Sequence, residues 1–210
     1  MRRPILAFIA FSWLAGCADG LQLPGFGGDR TGDGIRTLSL LNGDVRVRGP
    51  AGYCVDQSAS SASRGFAILA GCALLSDRAA MMPDRSGLLT VQFGEPGSAL
   101  VAQDPAALAD YLRSDPGQAL LASGPDGVEV GEVHMGDNLV ILRFQDRAGA
   151  PVPGTTPFIW RGFTDIGGRL VTVSALSYSR APLQRDAGRT LLELALNALG
   201  KANRPDAAPS

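Results

Sequence analysis

The sequence predicts an α+β domain: an antiparallel sheet of about six to eight strands with helices on one face and a helix at the C-terminal end. Short segments with apolar or alternating patterns are joined by turn sequences such as Gly136-Asp137 and Gly167-Gly168, which predict tight hairpins. Two Asp-Pro pairs mark helix starts in the middle of the chain. The last segment carries apolar residues at helical spacing. Sequential strands with separate helices define the α+β class.

The first strands are predicted between residues 35 and 50. Asn42-Gly43 suits the positive φ angles of a type I′ turn and predicts a hairpin. Val45–Arg48 alternates between apolar and charged residues, so one face of that strand is expected to be buried. Residues 65–75 and 88–94 are apolar runs that predict buried strands, since the first is too short and too glycine-rich for a surface helix.

The helices are predicted from their start signals. Asp104-Pro105 and Asp115-Pro116 each place a capping carboxylate before a proline at the first helical position. Leu108, Tyr111 and Leu112 form an apolar stripe on the first helix. A final helix is predicted from about residue 186 to residue 202. Its apolar face consists of Leu191, Leu192, Ala195, Leu196 and Leu199.

The order of hairpin, strands, helices, strand meander and C-terminal helix resembles the two-layer fold of the PsbP/Mog1 group. This resemblance is one of fold and implies no activity. The part of the chain after residue 16 also resembles uncharacterised lipoproteins of Gram-negative bacteria, for which no activity is implied either.

The N-terminal residues have the organisation of an export signal. Arg2 and Arg3 precede an apolar run over residues 5–14, and the small residues Ala15 and Gly16 follow it. A positive start, an apolar stretch and a small-residue cleavage site are typical of a secretory signal. The run is about half as long as a helix that crosses a bilayer, so a permanent transmembrane span is not predicted.

The end of this signal, Leu14-Ala15-Gly16-Cys17, resembles the lipobox of bacterial lipoproteins. The resemblance implies cleavage before Cys17, a diacylglycerol on its thiol and a further acyl chain such as palmitate on its amino group. Two or more acyl chains hold a protein stably on a membrane. Ala18 directly after the anchor, with Asp19 only in the next place, implies the periplasmic face of the outer membrane rather than the inner membrane. An ordinary signal peptide with an incidental cysteine is the alternative.

Four segments are predicted. Residues 1–16 are the lipoprotein signal peptide, and residues 17–34, rich in Gly, Asp and Pro, are a lipid-anchored flexible tether. Residues 35–203 form a single domain, and residues 204–210 form a disordered tail. Removal of the signal leaves 17 basic and 20 acidic residues, a formal charge of −3 without any Lys/Arg run. This composition argues against nucleic-acid binding.

Cys54 and Cys72 are the other cysteines of the chain. In an exported protein they are expected to form a disulfide, with Cys17 taken by the lipid. A redox pair or a metal site is the alternative, but the spacing is not C-x-x-C and further ligands are lacking. No cofactor and no metal are predicted.

No catalytic residues are predicted. His134 is the single histidine, and no G-x-S-x-G sequence supplies a nucleophile for it. Glu129, Glu132, Asp137 and Asp146 are expected to be solvated charges on a half-exposed sheet. Glu129 and Glu132 have opposite parity on one strand and are expected to face opposite sides.

Aromatic residues on one predicted strand form a candidate binding surface. Phe158 and Trp160 share one face of the strand, and Arg161 and Phe163 share the other. A buried aromatic core is the default interpretation of this strand, and an exposed surface for a ligand or a partner is the alternative.

Three functions are compatible with these features. The preferred one is a non-enzymatic cell-envelope lipoprotein, anchored through Cys17, whose domain contacts a protein or another envelope partner. The alternative is a periplasmic module that binds a small molecule or lipid in an apolar pocket between sheet and helices. The third is a carboxylate-based hydrolase that would use Asp56, Glu129, Glu132 or Asp137.

The lipid anchor is tested by mass spectrometry of the native product. We expect a chain that begins at Cys17 and carries acyl chains on this residue, because stable membrane attachment requires at least two of them. A Cys17→Ser variant should lack the acyl mass. A bare Cys17 thiol, or a leader still attached, would contradict the prediction.

Overall fold

The computed structural model of the protein describes residues 30–31, 34–76 and 82–204. The predicted signal peptide, Cys17 and most of the predicted tether lie outside the described residues, as do residues 205–210 of the predicted tail. Within the described part, no helix is long and apolar enough to span a membrane.

The described residues form a seven-stranded antiparallel sheet with two small two-stranded ladders. The strands are β1 (Arg30–Thr31), β2 (Gly34–Ile35), β3 (Thr37–Leu40), β4 (Val45–Arg48), β5 (Tyr53–Ser61), β6 (Phe66–Gly71), β7 (Gly87–Phe93), β8 (Val128–Gly136), β9 (Leu139–Asp146), β10 (Thr155–Ile166) and β11 (Arg169–Tyr178). The large sheet has the order β5-β6-β7-β11-β10-β9-β8, so β5 and β8 are its two edges. The ladders pair β1 with β2 and β3 with β4.

The helices in the described residues divide between the two faces of the sheet. They are α1 (Cys72–Leu75), α2 (Pro105–Arg113), α3 (Asp115–Leu121) and α4 (Arg185–Ala202). The α+β class, the antiparallel sheet and the C-terminal helix are confirmed. The helices do not share one face, however: α4 packs on one, here called the α4 face, and α2 and α3 pack on the other, the α2–α3 face.

Strand β10 shows why both faces need a cover. Trp160 and Gly162 point toward α4, whereas Ile159 and Phe163 belong to the core under α2 and α3. A central strand with apolar residues on both sides must be buried on both sides. The alternation alone could not tell which helix covers which face.

The turns agree only in part with the sequence-based expectation. Gly167 and Gly168 form the two-residue loop between β10 and β11, with φ of 60° and 73°, as a type I′ turn requires. The first hairpin has a four-residue loop instead of a two-residue one, and Leu41 and Asn42 adopt φ of 51° and 60°. Leu41 packs against the core, which favours the longer loop.

The helix starts also differ in one case. The Asp104 carboxylate accepts a hydrogen bond from the Ala107 amide at 2.9 Å, so it caps α2 as predicted. On α3 the prediction that Asp115 is the cap is wrong. Ser114 is the cap, since its hydroxyl accepts from the Gly117 amide at 3.4 Å. Asp115 is the first helical residue, where its charge favours the positive helix end.

Three apolar predictions have mixed outcomes. Helix α4 buries Leu191, Leu192, Ala195 and Leu199, as expected from its spacing. On α2, however, Tyr111 is exposed, and the buried residues are Ala109 and Leu112. The run over residues 65–75 is a strand only to Gly71 and then turns into α1.

The structure joins Cys54 to Cys72, the pairing that the sequence predicts. Their Cα atoms are 4.8 Å apart, and both residues are buried. The bond links β5 at the sheet edge to the start of α1. Closing a loop of 18 residues stabilises the fold by about 3 kcal/mol in the chain-entropy model.

Gly117→Ala tests the close junction between α2 and α3. An added Cβ would overlap the carbonyl oxygen of Tyr111 and lie 2.7 Å from the Cα of Leu112. Because both are backbone atoms, we expect a loss of about 2 kcal/mol in the free energy of unfolding, measured by urea denaturation.

Gly200→Ala on α4 is the matched control, because no atom lies within 4 Å of its added Cβ. It should raise the free energy of unfolding by about 0.5–1 kcal/mol through helix propensity. Equal effects of the two substitutions would contradict the packing argument.

Candidate functional site

The predicted aromatic surface on β10 is divided by the sheet. Phe158 and Trp160 lie on the α4 face, and Arg161 and Phe163 lie on the α2–α3 face, as their parity requires. Phe158 is 41% exposed, whereas Trp160 and Phe163 are buried. Phe158 is therefore the one of these aromatic side chains that is available at the surface.

A cleft of about 100 Å³ lies between the beginning of β10 and the beginning of α4. We call it the aromatic cleft. The residues that define its chemistry are Arg143, Phe158, Trp160, Arg185 and Gly188.

Trp160 is a buried residue that lines the aromatic cleft. Its indole Nε1 donates a hydrogen bond to the Arg185 carbonyl oxygen at 3.1 Å, which fixes the first turn of α4 against β10. Gly188 permits this approach, because a Cβ there would lie 2.9 Å from Cδ1 of the indole. Trp160 is consequently a structural anchor for the helix, and the cleft is formed beside it.

Two arginines give the cleft a positive charge. The guanidinium carbon of Arg143 lies 4.3 Å from the centre of the Phe158 ring, a cation–π contact. No carboxylate of the described residues lies within ion-pair distance of Arg143, whereas Arg185 Nε lies 3.1 Å from Oε1 of Glu132. Burial and the nearby charge of Arg185 lower the pKa of Arg143, and Glu132 only partly offsets them. Glu132 is thus paired with Arg185, and it compensates the charge of Arg143 only in part.

Glu132 reaches this site because β8 contains a β-bulge. Val130 pairs with Phe144 and Val133 pairs with Leu142, so β8 has one extra residue between these two positions. The expectation that Glu129 and Glu132 face opposite sides is therefore wrong. Their opposite parity would hold only for a strand without a bulge.

His134 lies beside Glu132 on the edge strand. Its Nε2 is 3.5 Å from Oε2 of Glu132, and its ring stacks on Trp160 with 6.2 Å between ring centres. These contacts place His134 next to Trp160 and Glu132, although it does not itself line the aromatic cleft. Among the described residues there is no cluster of three or more His, Cys, Asp or Glu side chains that could hold a metal ion.

Arg161 belongs to the interior of the opposite face. Its Nε donates to the Ser174 hydroxyl at 2.9 Å, and its guanidinium carbon lies 5.1 Å from the Phe144 ring centre. Burial lowers the pKa of Arg161, and the nearby negative charge of Asp146 acts in the opposite direction. Arg161 does not contribute to the aromatic cleft.

Arg143 and Arg185 were not among the residues singled out from the sequence. Arg143 is the single charged residue within positions 139–145, and this interruption of an apolar strand was an available signal. Arg185 carried no such signal, since its place in the cleft depends on where α4 docks on the sheet.

The sequence matches no protein-family model and no curated protein. Two solved structures are similar to part of it: a mutant of the protein Mog1 and the Saccharomyces cerevisiae Ran-binding protein Mog1p. Both structures have a TM-score of 0.46 and 11% sequence identity with this chain. Both alignments cover 79% of this chain, and they cover 93% of the mutant Mog1 chain and 92% of the Mog1p chain. Structural similarity at this level does not indicate a function for this chain.

Asp146→Asn tests the buried charge beneath the α2–α3 face. Asp146 is 1% exposed and accepts hydrogen bonds from the Ser123 amide at 2.9 Å and the Ala148 amide at 3.0 Å. Burial alone would raise its pKa, but these hydrogen bonds and the charge of Arg161 together hold the pKa below 3.8. We expect the substitution to cost about 1–3 kcal/mol at pH 7.

The pH dependence follows from the lowered pKa. The stabilisation by Asp146 is fully present above the unfolded-state pKa near 3.8 and is lost as the pH falls through the lower folded-state pKa. Urea denaturation from pH 7 to pH 3 should therefore show the wild type and Asp146→Asn converging in acid. Asp126→Asn, at an exposed position, should follow the wild type. If the free energies of unfolding of the wild type and Asp146→Asn differed by the same amount from pH 7 to pH 3, the stabilising role of the Asp146 charge would be refuted.

Proposed function

We propose that the protein is a non-enzymatic cell-envelope lipoprotein, anchored through Cys17, that binds a protein partner at the aromatic cleft. The observation that carries the partner-binding role is the exposed Phe158 ring with the Arg143 guanidinium stacked on it. The lipobox-like sequence supports the anchor.

The chemistry of this pair favours a protein interface. Aromatic side chains and arginine are enriched among the residues that dominate binding energy at interfaces. Phe158 is held in a strand, and Arg143 is already placed on its ring, so little side-chain freedom remains to be lost on binding. Because Arg143 has no carboxylate partner among the described residues, the fitting partner presents an acidic side chain next to an apolar one.

The alternative of a small-molecule or lipid-binding module has less support at this site. Ligand pockets enclose about 300–1,000 Å³, and the cleft between β10 and α4 encloses about 100 Å³. A carboxylate-based hydrolase is also less favoured. Asp56 lies on β5 and Glu132 on β8, the two opposite edges of the sheet, so these carboxylates cannot act together.

Site-specific photo-crosslinking tests the proposed surface. A photoreactive residue in place of Phe158 should give one discrete crosslinked product in living cells. The same residue in place of Leu120 is the control, because Leu120 is 71% exposed but lies on α3 at the opposite face. Equal products from both positions, or none from Phe158, would contradict the assignment.

The partner identified in this way then allows a quantitative test. Arg143→Ala and Phe158→Ala should each weaken its binding by about 30-fold, the size expected for a dominant interface residue. Arg147→Ala, at an exposed position outside the cleft, should leave binding within about twofold. If all three variants bind alike, the partner uses another surface.

A further inference from the structure

A second surface feature lies at the other end of α4. A groove of about 490 Å³ runs between the end of β4 and the C-terminal half of α4. Its lining combines apolar residues such as Pro50, Leu194 and Ala198 with the cationic Arg48 and Lys201. Leu194 is 44% exposed, although it is a large apolar residue. We call this feature the cationic groove.

The charged residues that line the groove, Arg48 and Lys201, are both cationic. None of its lining residues is acidic, the exposed Arg46 precedes Arg48 by two residues, and the exposed Arg204 follows Lys201 by three. Glu193, next to Leu194 in sequence, is paired with Arg189 at 2.8 Å. In the smaller adjoining pocket Asp84 is accompanied by Arg85, so that pocket adds no excess negative charge. This local excess stands out in a chain whose predicted mature form has a net charge of −3.

The arrangement of these cations is held by the fold. The Arg46 amide donates to Oδ1 of Asn203 at 2.8 Å, and Nδ2 of Asn203 donates to the Arg46 carbonyl at 2.7 Å. These two bonds fasten β4 to the end of α4. The basic side chains of both elements are consequently presented on one side of the molecule.

The groove also lies beside the place where the chain enters the domain. Thr37, near the start of the domain, pairs directly with Arg48 in the groove lining. The predicted tether of residues 17–34 can span at most roughly 60 Å. A chain anchored at Cys17 therefore enters the domain beside the groove.

From these observations we propose that the cationic groove is the membrane-facing surface of the protein and binds the headgroups of anionic phospholipids. Arg48 and Lys201 contact the phosphate groups, and Leu194 lies at the boundary with the acyl chains. This inference rests on the proposed lipid anchor for its biological setting. The headgroup contact itself follows from the charge and apolar lining of the groove.

The proposal gives the domain a defined orientation. Gly188 in the aromatic cleft and Lys201 on the groove are 13 residues apart on α4, about 20 Å along the helix axis. The two features share no lining residue, so contact of the groove with the bilayer does not use the residues of the aromatic cleft. The cleft then remains accessible to a partner in the aqueous compartment.

Vesicle sedimentation tests the headgroup contact without the lipid anchor. The probe is the chain from residue 17 to residue 210 with Cys17→Ser, mixed with vesicles of phosphatidylglycerol and phosphatidylcholine in about a 1:2 ratio. We expect binding that weakens with added salt, and no binding to pure phosphatidylcholine. Equal binding to both vesicle types would overturn the proposal.

Charge variants locate the contact. Each basic residue near an anionic surface strengthens binding about fivefold, so Arg48→Ala combined with Lys201→Ala should weaken it about 25-fold. Arg147→Ala combined with Arg180→Ala removes the same charge at exposed positions elsewhere and should have less than a threefold effect. Equal weakening by the two pairs would refute the location. Circular dichroism of each variant verifies that it is folded.

Two further outcomes separate this proposal from the others. If polyglutamate binds at the groove and anionic vesicles do not, the surface serves an acidic protein and the membrane assignment fails. Because the probe lacks the Cys17 thiol, a negative vesicle result leaves the anchor and the aromatic cleft standing. Conversely, a bare thiol in the native product would remove the anchor without changing the vesicle measurement.

Discussion

Helix α4 lies close against the sheet because glycines occupy the positions where the two elements meet. A Cβ at Gly162 would lie 2.9 Å from a methyl group of Leu196, and a Cβ at Gly188 would lie 2.9 Å from the Trp160 ring. The indole hydrogen bond to the first turn of the helix fixes the register of this contact. The remaining surface features follow from it, since the aromatic cleft and the cationic groove are both borders between α4 and its neighbours.

These two borders have different chemistry for a physical reason. At the N-terminal end of α4, Arg143 contacts the Phe158 ring and Arg185 pairs with Glu132, which gives a small, structured site. At the C-terminal end, Arg48 and Lys201 line the open cationic groove together with apolar residues. The small aromatic cleft suits one side chain of a protein partner, whereas the open cationic groove suits a broad, negatively charged surface.

Arginine has opposite roles on adjacent strands of the sheet. Arg143 on β9 pairs with Trp160 in the ladder and projects on the α4 face, where it lacks a carboxylate partner among the described residues. Arg161 on β10 projects on the other face, donates to Ser174 and has Asp146 nearby. The first arginine is left to interact with another molecule, and the second is used by the fold itself.

The sequence by itself determined the α+β class, the seven-stranded antiparallel sheet within the predicted range, the apolar side of helix α4 and the Cys54–Cys72 pairing. These features depend on local patterns: alternation, turn residues, apolar spacing and the number of cysteines. Which face each helix covers, and how β8 presents Glu132, were decided only by the tertiary structure. A bulge reverses strand parity without a distinct sequence signal, and the position of Arg185 depends on contacts between residues far apart in the chain.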